Sequence, residues 1–166
     1  MEIKKLTTAN SSDLLDLLLT LDNETKFMLL EPDERNISLE DMQHRLSSID
    51  ESMSAFWGAF DGENLVGYVN VRRGNANRTR HSAYIVIGIL LSHAGQGIGK
   101  LLLDKVDKWA KKHSVTRLEL TVMVHNQNAV KLYVKMGFNK EGIKKNSMFI
   151  DGNYIDEYYM GKIIQE

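Results

Sequence analysis

Residues 94–100 read Ala-Gly-Gln-Gly-Ile-Gly-Lys, and the stretches on either side limit what this chain can fold into. Before them, Ala83–Leu91 is almost wholly apolar, which predicts a strand buried on both faces. After them, Ile98, Leu101, Leu102, Val106, Trp109 and Ala110 recur at helical spacing to about His113. Asp104/Lys108 and Asp107/Lys111 are set to pair on the wet side of that helix. A strand, a glycine turn, an amphipathic helix and a further strand at 116–124 imply a crossover, and with it a parallel or splayed pair. Glycines in such a turn let backbone N–H groups approach a ligand, and the helix N-terminus adds partial positive charge, so phosphate is the natural guest. Two common phosphate loops are excluded by spacing. A Walker loop needs Gly at 94 and Ser or Thr at 101, where Ala94 and Leu101 stand; a dinucleotide fingerprint from Gly95 needs Gly at 100, where Lys100 stands. A turn made glycine-rich by tight packing alone fits the same residues.

The rest of the chain reads as alternating elements. Residues 1–7 alternate as a strand, and Ser11 or Ser12 can cap a leucine-rich helix to about Asn23. Ser38-Leu39-Glu40-Asp41 is a capping box opening a second helix to about Asp50. Residues 54–60 and 65–73 form a hairpin, 72–81 an arginine-rich turn, 126–136 a short helix stopped by Gly137, and 138–150 and 154–164 two last strands. The order β-α-α-β-β-β-α-β-α-β-β, without linker or repeat, predicts one mixed α+β domain over residues 1–166. Its sheet is mostly antiparallel, of about seven strands, with four helices.

Composition narrows the chemistry. There is no cysteine, which removes disulfides, thiolate metal sites and cysteine nucleophiles and fits a reducing, cytoplasmic setting. No apolar run approaches the ~20 residues of a membrane span, and Met1–Lys5 lacks a secretory layout, so no membrane association is expected. The net charge of −1 hides a division: residues 1–66 carry 14 acids against 5 bases, and residues 67–166 carry 8 against 16. Oppositely charged ligands on two surfaces would explain it, as would solvated faces that happen to segregate. A nucleic-acid partner fits poorly, because the basic stretch Arg72–His81 holds no aromatic residue. His44, His93, His113 and His125 have no metal-ligand spacing and read as surface or loop residues; no metal is expected.

The second informative stretch runs Asn126-Gln-Asn-Ala-Val-Lys-Leu-Tyr133-Val-Lys-Met-Gly137-Phe138. Its Asn and Tyr lie seven residues apart, two helical turns, on nearly one face. Periodicity alone makes the tyrosine a packing residue before a catalytic one. Together, Ala94–Gly99 and Asn126-x-x-Ala129-x-x-Leu132-Tyr133-x-Lys135-x-Gly137-Phe138 resemble the two signature stretches of the GNAT superfamily of acetyl-CoA-dependent N-acetyltransferases. Glu141-Gly142 and Asp151-Gly152-x-Tyr154-x-Asp156-Glu157-x-x-Met160 are similar to its amino-acid, phosphinothricin-type, spermidine and ribosomal-protein branch.

The resemblance implies a GNAT-type acyl-CoA N-acyltransferase fold with acetyl-CoA as co-substrate. It implies that the strands before and after the glycine turn splay around the pantetheine arm. Carried over, backbone groups of Ile89, Leu90 and Leu91 bond pantetheine, the N–H groups of Gly95, Gln96, Gly97, Ile98, Gly99 and Lys100 hold pyrophosphate, and Asn126 and Ala129 contact the cofactor from the other side. Tyr133, a phenol whose ordinary pKa of ~10 is near that of a thiol, is the matched acid for the departing sulfur, and a backbone N–H near Ile89 is the oxyanion donor. Without cysteine, transfer is expected to be direct, in a ternary complex. Ala94 departs from the family's usual Gln or Arg, and Tyr84 stands about where a glutamate base is often found; His81, Tyr84 or a water chain are the candidate bases.

In this fold the N-terminal helices wall the acceptor. Glu24, Glu31, Asp33, Glu34, Glu40 and Asp41 therefore suggest an acidic wall drawing a cationic amine. Expected acceptors are a small amine, an amino-acid-like compound or a polyamine, or else a peptide N-terminus. The rival reading is a non-catalytic acyl-CoA-binding module, and homodimerisation through edge strands is compatible with the sequence.

Overall fold

The computed structural model describes residues 1–165. In chain order the elements are β1 (Glu2–Lys5), α1 (Ser11–Glu24), α2 (Leu39–Ser47), β2 (Ser54–Asp61), β3 (Asn64–Arg73), β4 (Ser82–Ile89), α3 (Ile98–Lys112), β5 (Arg117–Met123), α4 (Gln127–Lys135), β6 (Asn139–Ile150) and β7 (Asn153–Ile163), with single 3₁₀ turns at Thr8–Asn10 and Leu91–His93. The strands form one sheet in the order β1-β2-β3-β4-β5-β7-β6, antiparallel throughout except for β4 beside β5. No helix among the described residues is long and apolar enough to cross a membrane.

Each face of the sheet carries its own core. On one, Ile98, Leu102, Leu103, Val106, Trp109 and Ala110 of α3 pack on Val69, Val71, Ala83, Ile85, Leu118 and Leu120. On the other, Leu14, Leu17, Leu18 and Leu21 of α1, with Met42 and Leu46 of α2, cover Phe56, Phe60 and Tyr68. The two-residue period of the strands separates the sets, since alternate side chains point to opposite faces.

Local expectations fail where tertiary partners intervene. In α3, Leu103 is buried and Leu101 exposed, because the helix packs on the sheet over a broader arc than one stripe. Asp104 bonds Lys100 rather than Lys108, and Asp107 bonds Lys162 of β7, a neighbour from the sheet that displaces the local pairing. Ser11 is the first residue of α1 rather than its cap; its hydroxyl donates to the Thr8 carbonyl at 2.7 Å. The Ser38–Asp41 box is formed, and those hydrogen bonds hold the Asp41 carboxyl below its usual pKa. That helix stops at Ser47, short of Asp50, whose carboxylate accepts the Ser52 N–H at 2.9 Å in a competing turn. His113 is not a free surface group: its ring leans on Trp109 and its Nε2 is buried without a partner among the described residues.

Two ion pairs hold the segment between α1 and α2, an exposed one from Lys26 to Asp151 and a buried one from Arg35 to Asp22. Arg35 donates from Nε and Nη2 to the two carboxylate oxygens of Asp22, at 2.6 and 2.9 Å. Asp22 is only 2% exposed, and its hydrogen bond raises the Arg35 pKa further. Removing one member leaves the other charge buried and unpaired. Asp22→Ala should lower unfolding free energy by about 3 kcal/mol in a urea titration; a loss under about 0.5 kcal/mol would show that the pair is not a structural anchor.

Candidate active site

The two parallel strands stay together for only three residues. Ser82, Ala83 and Tyr84 of β4 face Arg117, Leu118 and Glu119 of β5, and no pairing follows. Beyond that point β4 continues on β3 as far as Ile89 opposite Gly67, while β5 continues on β7 as far as Met123 opposite Glu157. The strands therefore fork, and one edge of β4 is left without a partner strand. Leu90 donates its N–H to Val66 O at 2.9 Å, toward β3. By the alternation of a strand, the N–H and C=O groups of Ile87 and Ile89 turn the other way, into the gap, while the Ile85 N–H still faces Glu119 in the last rung.

Tyr84 sits in the crotch of the fork. Its hydroxyl is 2.8 Å from Thr121 Oγ1 and accepts the Thr121 N–H at 3.3 Å, so a side chain takes the place of the missing strand partner. Tyr84 and Val86 are exposed although Ala83 and Ile85 are buried. The expected burial of this strand on both faces is thus corrected: one face lies under α3 and the other opens into a cleft. His81 is exposed just before β4, at the end away from the glycine turn, and does not line the cleft.

At the open end of the fork the chain makes the glycine turn. Gly95 and Gly97 have φ of 77° and 80°, the left-handed region that disfavours side chains, and Gly97 occupies the N-cap of α3. Gly99 is needed for space, since a Cβ there would stand 2.4 Å from Leu132 Cδ2 of α4. Along Gly95–Lys100 the backbone N–H groups find no acceptor among the described residues; the first helical bond at this end is Leu101 N to Gly97 O at 3.3 Å. Six consecutive donors at the positive end of a helix form an anion cradle. The Lys100 ammonium is bonded to Asp104 at 2.7 Å in an exposed pair, weak enough to yield to another anion.

Fork and turn open into one cleft of about 1080 Å³. The expected site residues Ile89, Leu91, Gly95, Gly97, Ile98, Gly99, Lys100, Asn126, Ala129 and Tyr133 line it, as does Tyr84; Leu90 and Gln96 do not. Leu91 already donates its N–H to Glu24 Oε1 at 2.7 Å. Asn126 caps α4 by accepting the Ala129 N–H at 3.4 Å, so these two residues contact each other. Tyr133 is 6% exposed and edge-on to Phe138, and its hydroxyl has no hydrogen-bond partner among the described residues. Burial, and then the neighbouring Tyr84 and Tyr68, push its phenol well above the ordinary value. Burial likewise pushes Tyr68 up to about 12.

The acidic wall is not there. Glu24 bonds Leu91, Glu34 accepts the Glu31 N–H, Asp41 caps α2, and none of Glu24, Glu31, Asp33, Glu34, Glu40 and Asp41 lines the cleft. Residue counts carry no direction, and three of these carboxylates are held by backbone N–H groups. Arg35 and Arg45 line the cleft instead, and among the described residues its one carboxylate is Glu157 of β7, bonded to Ser147. Sequence reasoning missed all three. Their signal was indirect at best: the second helix was expected at the acceptor, but only register places Glu157 beside Met123.

The sequence pattern of the acetyltransferase (GNAT) family matches residues 17–138, which contain both the fork and the cradle. The chain belongs to that family. A GNAT acetyltransferase from Streptococcus pneumoniae is 32% identical and superposes with a TM-score of 0.93, covering 99% of both chains. A phosphinothricin acetyltransferase of Sinorhizobium meliloti, solved in complex with acetyl-CoA, shares the GNAT fold at a TM-score of 0.87, with 18% identity over 99% of this chain and 89% of that one. The L-amino acid N-acetyltransferase of Escherichia coli is 33% identical over 107 residues, which span 62% of this chain and 64% of that relative.

The left-handed turn can be tested apart from any ligand. Gly97→Ala places a Cβ at φ +80° and should cost about 1 kcal/mol of unfolding free energy. Unchanged stability in urea would mean that the turn relaxes to another conformation and that the cradle is not rigidly held.

Proposed function

We propose that the protein transfers the acetyl group of acetyl-CoA directly to the nitrogen of a small primary amine. The observation that carries this reading is the junction of the β4–β5 fork with six unpaired backbone N–H groups at the start of α3. That junction suits a ligand with an anionic end and a long amide-bearing arm. Gly95–Lys100 would hold the pyrophosphate, and the free edge of β4 at Ile87 and Ile89 would bond the arm. Bound acetyl-CoA supplies the acetyl thioester that the amine attacks.

The chain's own groups supply the rest. An N–H at Ile89 faces the gap and serves as oxyanion donor. Tyr133 holds its proton on a hydroxyl with no protein partner and delivers it to the departing sulfur. Because burial raises its pKa, the phenol stays protonated wherever the protein works. The ammonium must lose a proton before attack. Since His81 stands outside the cleft and the Tyr84 hydroxyl is engaged by Thr121, water in the cleft accepts it. With no cysteine, no acetyl-thiol form of the protein is available, and both substrates are bound together.

Tyr133→Phe should lower kcat by ~10–1000-fold while the KM for acetyl-CoA changes little and the fold is kept. The wild-type rate should rise with pH toward the acceptor amine's own pKa, with no falling limb below about pH 10, because the phenol gives up its proton only above that value. Full turnover in the variant, or a falling limb near neutrality, would remove Tyr133 from this role.

A further inference from the structure

Arg45 leaves the last turn of α2 and lies with its guanidinium 5.2 Å from the centre of the Phe56 ring, on the cleft wall. Its guanidinium makes no ion pair and no hydrogen bond among the described residues. Partial burial lowers its pKa most; Tyr68 acts in the opposite direction, and Arg35 and Arg72 repel its charge. Arg35 differs, because Asp22 compensates its charge and fixes its fork. The cleft's one carboxylate, Glu157, is carried by β7 on the other side of the β4–β5 fork. A guanidinium that is partly desolvated, repelled by two like charges and matched by no acid is held at a cost that a bound anion would offset.

The sheet register shows what kind of anion. Phe56 of β2 faces Asn70 of β3, which faces Val86 of β4, so the residue that Arg45 lies against stands two strand spacings, about 10 Å, from β4. The anion cradle of Gly95–Lys100 lies beyond the far end of β4, past Ile89. The Arg45 group therefore belongs to the acceptor's side of the cleft. Its side chain has four rotatable bonds and a tip with no partner, so it can follow a ligand toward the fork.

We infer that Arg45, with Arg35 beside it, forms an anion subsite, and that the acceptor is a small amine carrying its own carboxylate, an amino acid, rather than a polyamine. This deepens the proposed acetyl transfer and rests on it. A polycation would meet like charge under α2; an amino acid presents a carboxylate to the planar donor fork and leaves its amine for the thioester.

The experiment compares α- and ω-amino acids with their amides and with spermidine, following CoA release with a thiol reagent, to which this cysteine-free protein contributes no background. The acids should exceed their amides by about 10–100-fold in kcat/KM. Arg45→Gln should raise the KM of the acids by a similar factor, leave kcat and the KM for acetyl-CoA unchanged, and leave the amides unaffected, while Arg45→Lys restores part of the loss. Amides or spermidine used as well as acids, or an Arg45→Gln effect shared by both, overturns the subsite and leaves acetyl transfer standing. If no amine releases CoA, the proposed function fails. The subsite is then decided by calorimetric titration of the acids into the CoA-bound protein: binding that Arg45→Gln weakens by tenfold or more supports it, and equal or absent binding overturns it.

Discussion

Everything at the candidate site depends on β4 and β5 parting after Tyr84 and Glu119. A parallel pair that ran on would satisfy its own backbone and leave no gap. Here the pair is cut short, and Tyr84 closes the last rung with its hydroxyl on Thr121. The open edge that results is normally a liability, because unpaired strand groups invite another strand. It is tolerable where a ligand's amides can take the strand's place. The crossover helix α3 contributes the other half, since a helix that must begin at this spot brings its unpaired N–H groups with it.

The fold was legible because its signals are periodic. The order of elements, the hairpins and the crossover followed from alternation and amphipathicity, and most boundaries lay within a few residues. The cradle was legible because glycines at 95, 97 and 99 are costly anywhere but a turn or a close approach. The acceptor side was not. The side of the cleft proposed for the acceptor is lined from α2, the segment before it and β7, which are distant in sequence and brought together only by the sheet order. No spacing rule links Arg35, Arg45 and Glu157. The same limit explains Leu101 and Asp107, whose real neighbours come from other elements.

Charge shows the difference between composition and geometry most plainly. The acidic first part of the chain is real, yet Glu24, Glu34 and Asp41 are bonded to backbone N–H groups and Asp22 to Arg35. The charged side chains that reach the cleft from that part, Arg35 and Arg45, are cationic. The basic second part does reach the cleft, through the backbone of the glycine turn as well as through lysine side chains. The Tyr133 phenol is held protonated by burial, with no hydrogen-bond partner among the described residues.

The central claim is that the fork and the turn act as one binding surface for acetyl-CoA. Hydrogen–deuterium exchange, resolved to single amides with and without acetyl-CoA, tests it most directly. The account predicts that the amides of Gly95–Lys100 and those of Ile87 and Ile89 slow together on binding, because these groups lack acceptors among the described residues. Binding that leaves either set unchanged, or no binding at all, would contradict it.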